Sequence, residues 1–148
     1  MRQLIHVPGL NYEIKSLKHN VVSCLEASTA KGLPLQNELK SLILSTSSYI
    51  CVVHLPGNKN VNLRSIKRKL NVNEVYLASR DILASLDVPP GTVCPFVDSI
   101  WKLPQLVSED LIDLQFVSTN AGELNRYIVF NPQVILQNPN VVTGIFSK

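Results

Sequence analysis

Lys40 interrupts the run Leu39-Lys40-Ser41-Leu42-Ile43-Leu44, which is otherwise dominated by apolar side chains. An ammonium in such a segment needs an anionic partner, a route to water, or a task. On a strand of period two Lys40 shares a face with Leu42 and Leu44 and opposes Leu39, Ser41 and Ile43. It can therefore project from the rim of a core into a cleft and bind an anion or a polarised oxygen. The same pattern also suits an edge-strand lysine whose stem packs while its ammonium reaches water.

A second candidate is the loop Gly91-Thr92-Val93-Cys94-Pro95. Glycine permits close approach of backbone to ligand and proline fixes the far end, so the intervening amides of Thr92, Val93 and Cys94 are expected to be free to cradle an oxyanion. Cys94 could be a nucleophile here, but none of His6, His19 or His54 is near it in sequence. Further along, Asn120 and Gly122 form a turn able to present an amide side chain and tight backbone to a ligand. The three histidines lack metal-ligand spacing, and Cys24, Cys51 and Cys94 form no CxxC pair, so neither a metal nor a cofactor is expected. Cys24 and Cys51 read as small buried hydrophobes. No serine stands in a GxSxG elbow and no glycine loop has nucleotide-binding spacing.

These residues must be held by elements of both kinds. Tyr12 to Leu17 suits a short edge strand, and Asn20 can cap a helix to about Lys31, with Val21, Val22, Leu25 and loosely Thr29 inward and Gly32 as its stop. Leu39 to Leu44 and Ser48 to Leu55 predict a central β-hairpin. Asn62 can cap an amphipathic helix with Leu63, Ile66 and Leu70 inward and Arg64, Lys67 and Arg68 outward. A strand at Val75 to Ala78 and a helix from Ser79 to Leu86 precede the Pro89-Pro90-Gly91 break. Phe96 to Leu103, Leu114 to Thr119, Arg126 to Phe130 and Val141 to Phe146 read as strands, with one helical turn at Pro132 to Leu136.

The chain has 148 residues, 45% hydrophobic and 17% charged, which predicts one α/β domain over residues 1–148 with a real core. A net charge of +3 gives only a mild preference for anionic partners. The start at Met1 and Arg2 breaks at Pro8 and Gly9 before any apolar run long enough for a signal peptide, and no stretch approaches the ~20 apolar residues of a membrane span. A cytoplasmic protein without membrane partners is expected.

Taken in order, the His19 segment, the helix with Ala27 and Ala30, Lys40-Ser41-Leu42, the basic helix, Gly91-x-x-x-Pro95-Phe96 and Asn120-Ala121-Gly122 resemble the YbaK family of aminoacyl-tRNA editing domains. That family includes the editing insertion of bacterial prolyl-tRNA synthetases, and the resemblance runs from Tyr12 to Leu136. It implies a mixed, barrel-like sheet with flanking helices and hydrolysis of the ester joining a wrong amino acid to tRNA. The chain beginning at Met1 fits the free-standing form that acts in trans. Mischarged aminoacyl-tRNA would be the substrate and an aminoacyl-tRNA synthetase a candidate partner. Lys40 matches the functional lysine, Gly91 and Pro95 the substrate-clamping loop, Asn120 and Gly122 the turn near the pocket, and His19 aligns loosely with a substrate-binding position.

An aminoacyl ester is already activated, so placement of water or a ribose hydroxyl matters more than a strong protein nucleophile. Lys40 would hold a phosphate, ribose or carbonyl oxygen, and the loop amides would orient the ester. Arg64, Lys67 and Arg68 are candidates for tRNA-backbone contact. Ser41 and Asn120 depart from the Thr and Ser frequent among relatives; the second bears on substrate choice if Asn120 faces the amino-acid side chain. The alternatives are a non-catalytic RNA- or partner-binding module on the same fold and, last, a hydrolase using Cys94.

Overall fold

The computed structural model describes residues 3–148; Met1 and Arg2, on which part of the reading of the chain start fell, lie outside them. The strands are β1 (Lys15–Ser16), β2 (Leu39–Thr46), β3 (Ile50–Pro56), β4 (Val75–Leu77), β5 (Gln105–Ser108), β6 (Val117–Glu123), β7 (Arg126–Phe130) and β8 (Val141–Gly144). The helices are α1 (Cys24–Lys31), α2 (Leu63–Leu70), α3 (Arg80–Ser85), α4 (Asp98–Trp101) and α5 (Glu109–Ile112), with 3-10 turns at Leu35–Asn37 and Pro132–Gln137. The fold is mixed α/β, as expected. Its strands form two sheets, β4-β2-β3-β5-β8 and β1-β7-β6, which do not close into one barrel.

The β2–β3 hairpin forms as its β-branched and aliphatic residues predict, with Ser41 opposite His54 and Lys40 opposite Leu55. Alternation sends Leu39, Ile43, Val52 and Val107 into a core shared with the second sheet, where Phe96 packs edge-on against Phe130 at 4.9 Å. Leu44, Cys51, Val53, Leu55 and Leu106 face the other way, onto Ile66 of α2 and Phe146. The larger sheet is therefore covered on both faces. Helix α2 matches its sequence pattern: the Asn62 side chain accepts from the Ser65 amide at 3.1 Å, Ile66 is buried, and Arg64, Lys67 and Arg68 are exposed.

Other expectations need correction. Ser23, not Asn20, caps α1 by accepting from the Glu26 amide. Val22 and Leu25 are 60% and 65% exposed, while Ala27 and Ser28 form the buried face. Gly32 ends that helix in the left-handed conformation, as predicted. The expected strand at Phe96 to Leu103 is instead helix α4, because Val97, Ile100, Trp101 and Leu103 repeat at three and four rather than two. The edge strand at Tyr12 to Leu17 shrinks to Lys15–Ser16, and the strand expected from Leu114 begins at Val117.

Candidate active site

Strand β2 has a partly open outer edge. Strand β4 pairs with it from Leu44 to Thr46, and an isolated bridge joins Glu38, just before β2, to Ser118 of β6. Between these contacts opens a cavity of about 620 Å³. Consecutive residues Lys40, Ser41, Leu42 and Ile43 all line it, although their side chains alternate in direction, which only a strand edge allows. Residues of helix α1, Thr119 and Asn120 of β6, and Gly91 and Val93 also line it.

Lys40 is half-buried on this edge, and its Nζ donates to the Lys59 carbonyl at 2.5 Å. Gly91 has φ +81°, a left-handed conformation that favours glycine, and a Cβ there would lie 2.9 Å from Leu124 Cδ2, the movable end of that side chain. Only Gly91 and Val93 of the loop reach the cavity. Thr92 is buried and turned inward: its amide donates to the Pro89 carbonyl at 3.1 Å and its Oγ1 to the same oxygen at 2.6 Å. Its amide is thus not free for an oxyanion. Cys94 and Pro95 are buried and off the cavity, which removes the geometric basis for a Cys94 nucleophile.

Asn120 lines the cavity, but its side chain is committed. Its Nδ2 donates to the Val93 carbonyl at 2.9 Å, and its Oδ1 accepts from the Gly122 amide at 2.9 Å. It ties β6 to the loop rather than offering a free amide to substrate. Gly122, with φ +84°, sits in the register shift between Asn120 and Glu123 and does not line the cavity. His19 is exposed and away from the cavity.

Three features escaped the sequence reading. Lys31, at the end of α1, forms a 2.7 Å ion pair with Glu38, both side chains 3% exposed, and also donates to Ser118 Oγ at 2.9 Å. Its ammonium lies 4.7 Å from the centre of the Tyr127 ring. Burial raises the Glu38 carboxyl above its ordinary range, against the opposing effect of Lys31. Cys24 is only half-buried and lines the cavity, with its thiol pushed up by burial and held back by Lys40. Behind Ser41 lies the third feature: Ser41 Oγ is 2.7 Å from His54 Nδ1, and His54 Nε2 is 2.7 Å from Gln105 Oε1. No local motif links positions 41, 54 and 105; hairpin register and a parallel pairing bring them together.

Among the lining residues Lys31, Lys40 and Arg126 outnumber the one carboxylate, Glu38, so the cavity favours an electron-rich ligand. No cluster of three or more metal-ligating side chains occurs among the described residues, and no described helix is long and apolar enough to cross a membrane.

Residues 18–137 match the family described as the aminoacyl-tRNA editing domain. The crystal structure of the hypothetical protein APE2540 is similar with a TM-score of 0.83 at 23% identity, over 95% of this chain and 93% of that one. A protein proposed as a trans-editing enzyme for prolyl tRNA synthetase gives 0.82 at 18% identity, over 93% and 87%. A protein from Marinobacter aquaeolei VT8, proposed to act in signal transduction, gives 0.69 at 14% identity, over 95% of this chain but 28% of its own. At these identities the likenesses speak for the fold. No curated protein sequence matches significantly.

Proposed function

Since this chain belongs to the aminoacyl-tRNA editing domain family, we propose that it is a trans-acting aminoacyl-tRNA deacylase of the cytoplasm, hydrolysing the ester of a mischarged tRNA. The observation that supports this reading is the cavity along the β2 edge, whose lining includes both Lys40 and Gly91 and has more cations than carboxylates. A ribose-linked ester brings oxygen lone pairs and neighbouring phosphate, which such a site attracts. In this reading Lys40 exchanges its bond to the Lys59 carbonyl for a substrate oxygen, and Gly91 and Val93 lie against the ester. Much of the cavity lining is apolar, and low-polarity surroundings strengthen such contacts.

A panel of mischarged tRNAs tests the proposal. The wild-type chain should release amino acid from at least one, and Lys40→Ala should lower turnover by about 100-fold or more, the scale of losing a group that stabilises developing charge. Charged tRNA that binds but is not hydrolysed would identify a binding module instead. The exposed cations of α2, Arg64, Lys67 and Arg68, are proposed to meet the tRNA backbone. Reversing two of them should weaken tRNA binding and flatten its salt dependence, read as the slope of log affinity against log salt. An unchanged slope would remove α2 from the interface.

A further inference from the structure

The roles given to Lys40 and the loop leave the row Ser41–His54–Gln105 unused, although its outer member lines the cavity and its inner two are fully buried. The row has a defined polarity. Gln105 Nε2 donates to the carbonyls of Ile100 at 2.7 Å and Leu103 at 2.9 Å, which fixes its Oε1 toward His54. A carbonyl oxygen only accepts, so His54 Nε2 carries the hydrogen and, in the neutral ring, Nδ1 carries the lone pair. Ser41 Oγ must therefore donate to Nδ1, leaving the hydroxyl's own lone pairs available to the cavity.

We propose that Ser41 relays a proton between the water attacking the ester and the imidazole of His54, an inference that rests on the deacylase reading. Water oxygen bonds to the ester carbonyl carbon as its proton passes to Ser41 Oγ and the hydrogen of Ser41 passes to His54 Nδ1. When the adduct breaks down, the bond to the ribose oxygen is lost and the proton returns through Ser41 to that oxygen. The imidazole ends neutral, as it began. Serine, histidine and glutamine are the only protein groups in the relay, and the ester supplies both the electrophile and the leaving group.

Burial, opposed by the bond to Gln105, brings His54 down to about 4, so the ring stands neutral at ordinary pH. Among the described residues no charged group contributes to that shift. The partners of the two ring nitrogens are Ser41 and Gln105, both uncharged. A proton relay needs an imidazolium only during the transfer, whereas an acyl-serine route asks more of Ser41. Strand register supplies the alignment: Ser41 and His54 are cross-strand partners, and Gln105 joins from the parallel neighbour of β3.

The test uses the full chain on a tRNA that the wild type deacylates. Ser41→Ala should lower kcat by about 100- to 10,000-fold, the range for loss of general acid–base catalysis, with little change in KM. Ser41→Thr restores the hydroxyl and should recover most of the rate. His54→Asn, which can accept from Ser41 but cannot take up its proton, should fall with Ser41→Ala; melting curves establish that each variant is folded. Retention of more than half of wild-type kcat by folded Ser41→Ala would overturn the relay and leave the deacylase reading standing. Mass-spectrometric capture of an aminoacyl group on Ser41 would overturn it in favour of covalent catalysis. A wild-type chain that hydrolyses no charged tRNA would remove the deacylase reading and the relay with it.

Discussion

Lys31 and Glu38 meet inside the wall of the cavity, and neither side chain has enough exposure to be solvated by water alone. Removing one partner of such a pair strands the other, and the cost commonly reaches about 3–5 kcal/mol. Lys31→Met should approach that loss in urea unfolding at neutral pH. Glu38 already titrates above its ordinary range because of burial, so the folded state holds its proton more tightly than the unfolded state. Its contribution to stability is accordingly greatest in acid and declines as pH rises through the folded pKa. The Lys31→Met penalty should therefore shrink in mild acid, where a protonated Glu38 needs no counter-charge. A Lys31→Met, Glu38→Leu double variant should recover most of the stability, and a double variant as unstable as the single would show that the ion pair is not the cause.

At the level of elements, the loop and β6 act together. The Asn120 side chain joins the Val93 carbonyl to the Gly122 amide, so it fixes the loop against the strand beside the register shift. Asn120→Ala should cost about 1–3 kcal/mol by leaving polar backbone groups without that partner, and should raise KM more than it lowers kcat. Equal losses in both parameters would give Asn120 a different task. Gly91→Ala should cost about 1–2 kcal/mol for the left-handed backbone, before any displacement of Leu124, as read from the melting curve. The elements differ in how openly their sequences announce them. Helix α2 and the β2–β3 hairpin were legible because burial, period and caps agree. Helix α1 misleads because Leu25, and Val22 just before the helix, are exposed and line the cavity instead of entering the core. Strand β5 was not anticipated: Gln105 and Ser108 break its apolar pattern, yet both are buried between β3 and β8. At the site, Lys40 and Gly91 stood out as types in unusual settings, while Lys31–Glu38 and Ser41–His54–Gln105 depend on contacts across the fold.

Those long-range contacts make His54 a matter for the whole molecule. It lies on the middle strand of the larger sheet and faces the layer shared with the second sheet, with no exposure to solvent. Its folded value of about 4 lies below the ordinary 6.5 because burial penalises the charged ring. A depressed folded pKa gives stability that is fully present above the unfolded value and lost as pH falls through the folded one. Across that window His54 alone should withdraw about 3 kcal/mol, since each unit corresponds to about 1.4 kcal/mol. Denaturant unfolding of wild type and His54→Asn at matched pH values isolates this share, because the carboxylates, Glu38 among them, are common to both proteins. The wild type should lose stability faster between about pH 6.5 and pH 4. Parallel curves would mean that the ring can be charged in place, and the fold would then owe its acid sensitivity to other groups.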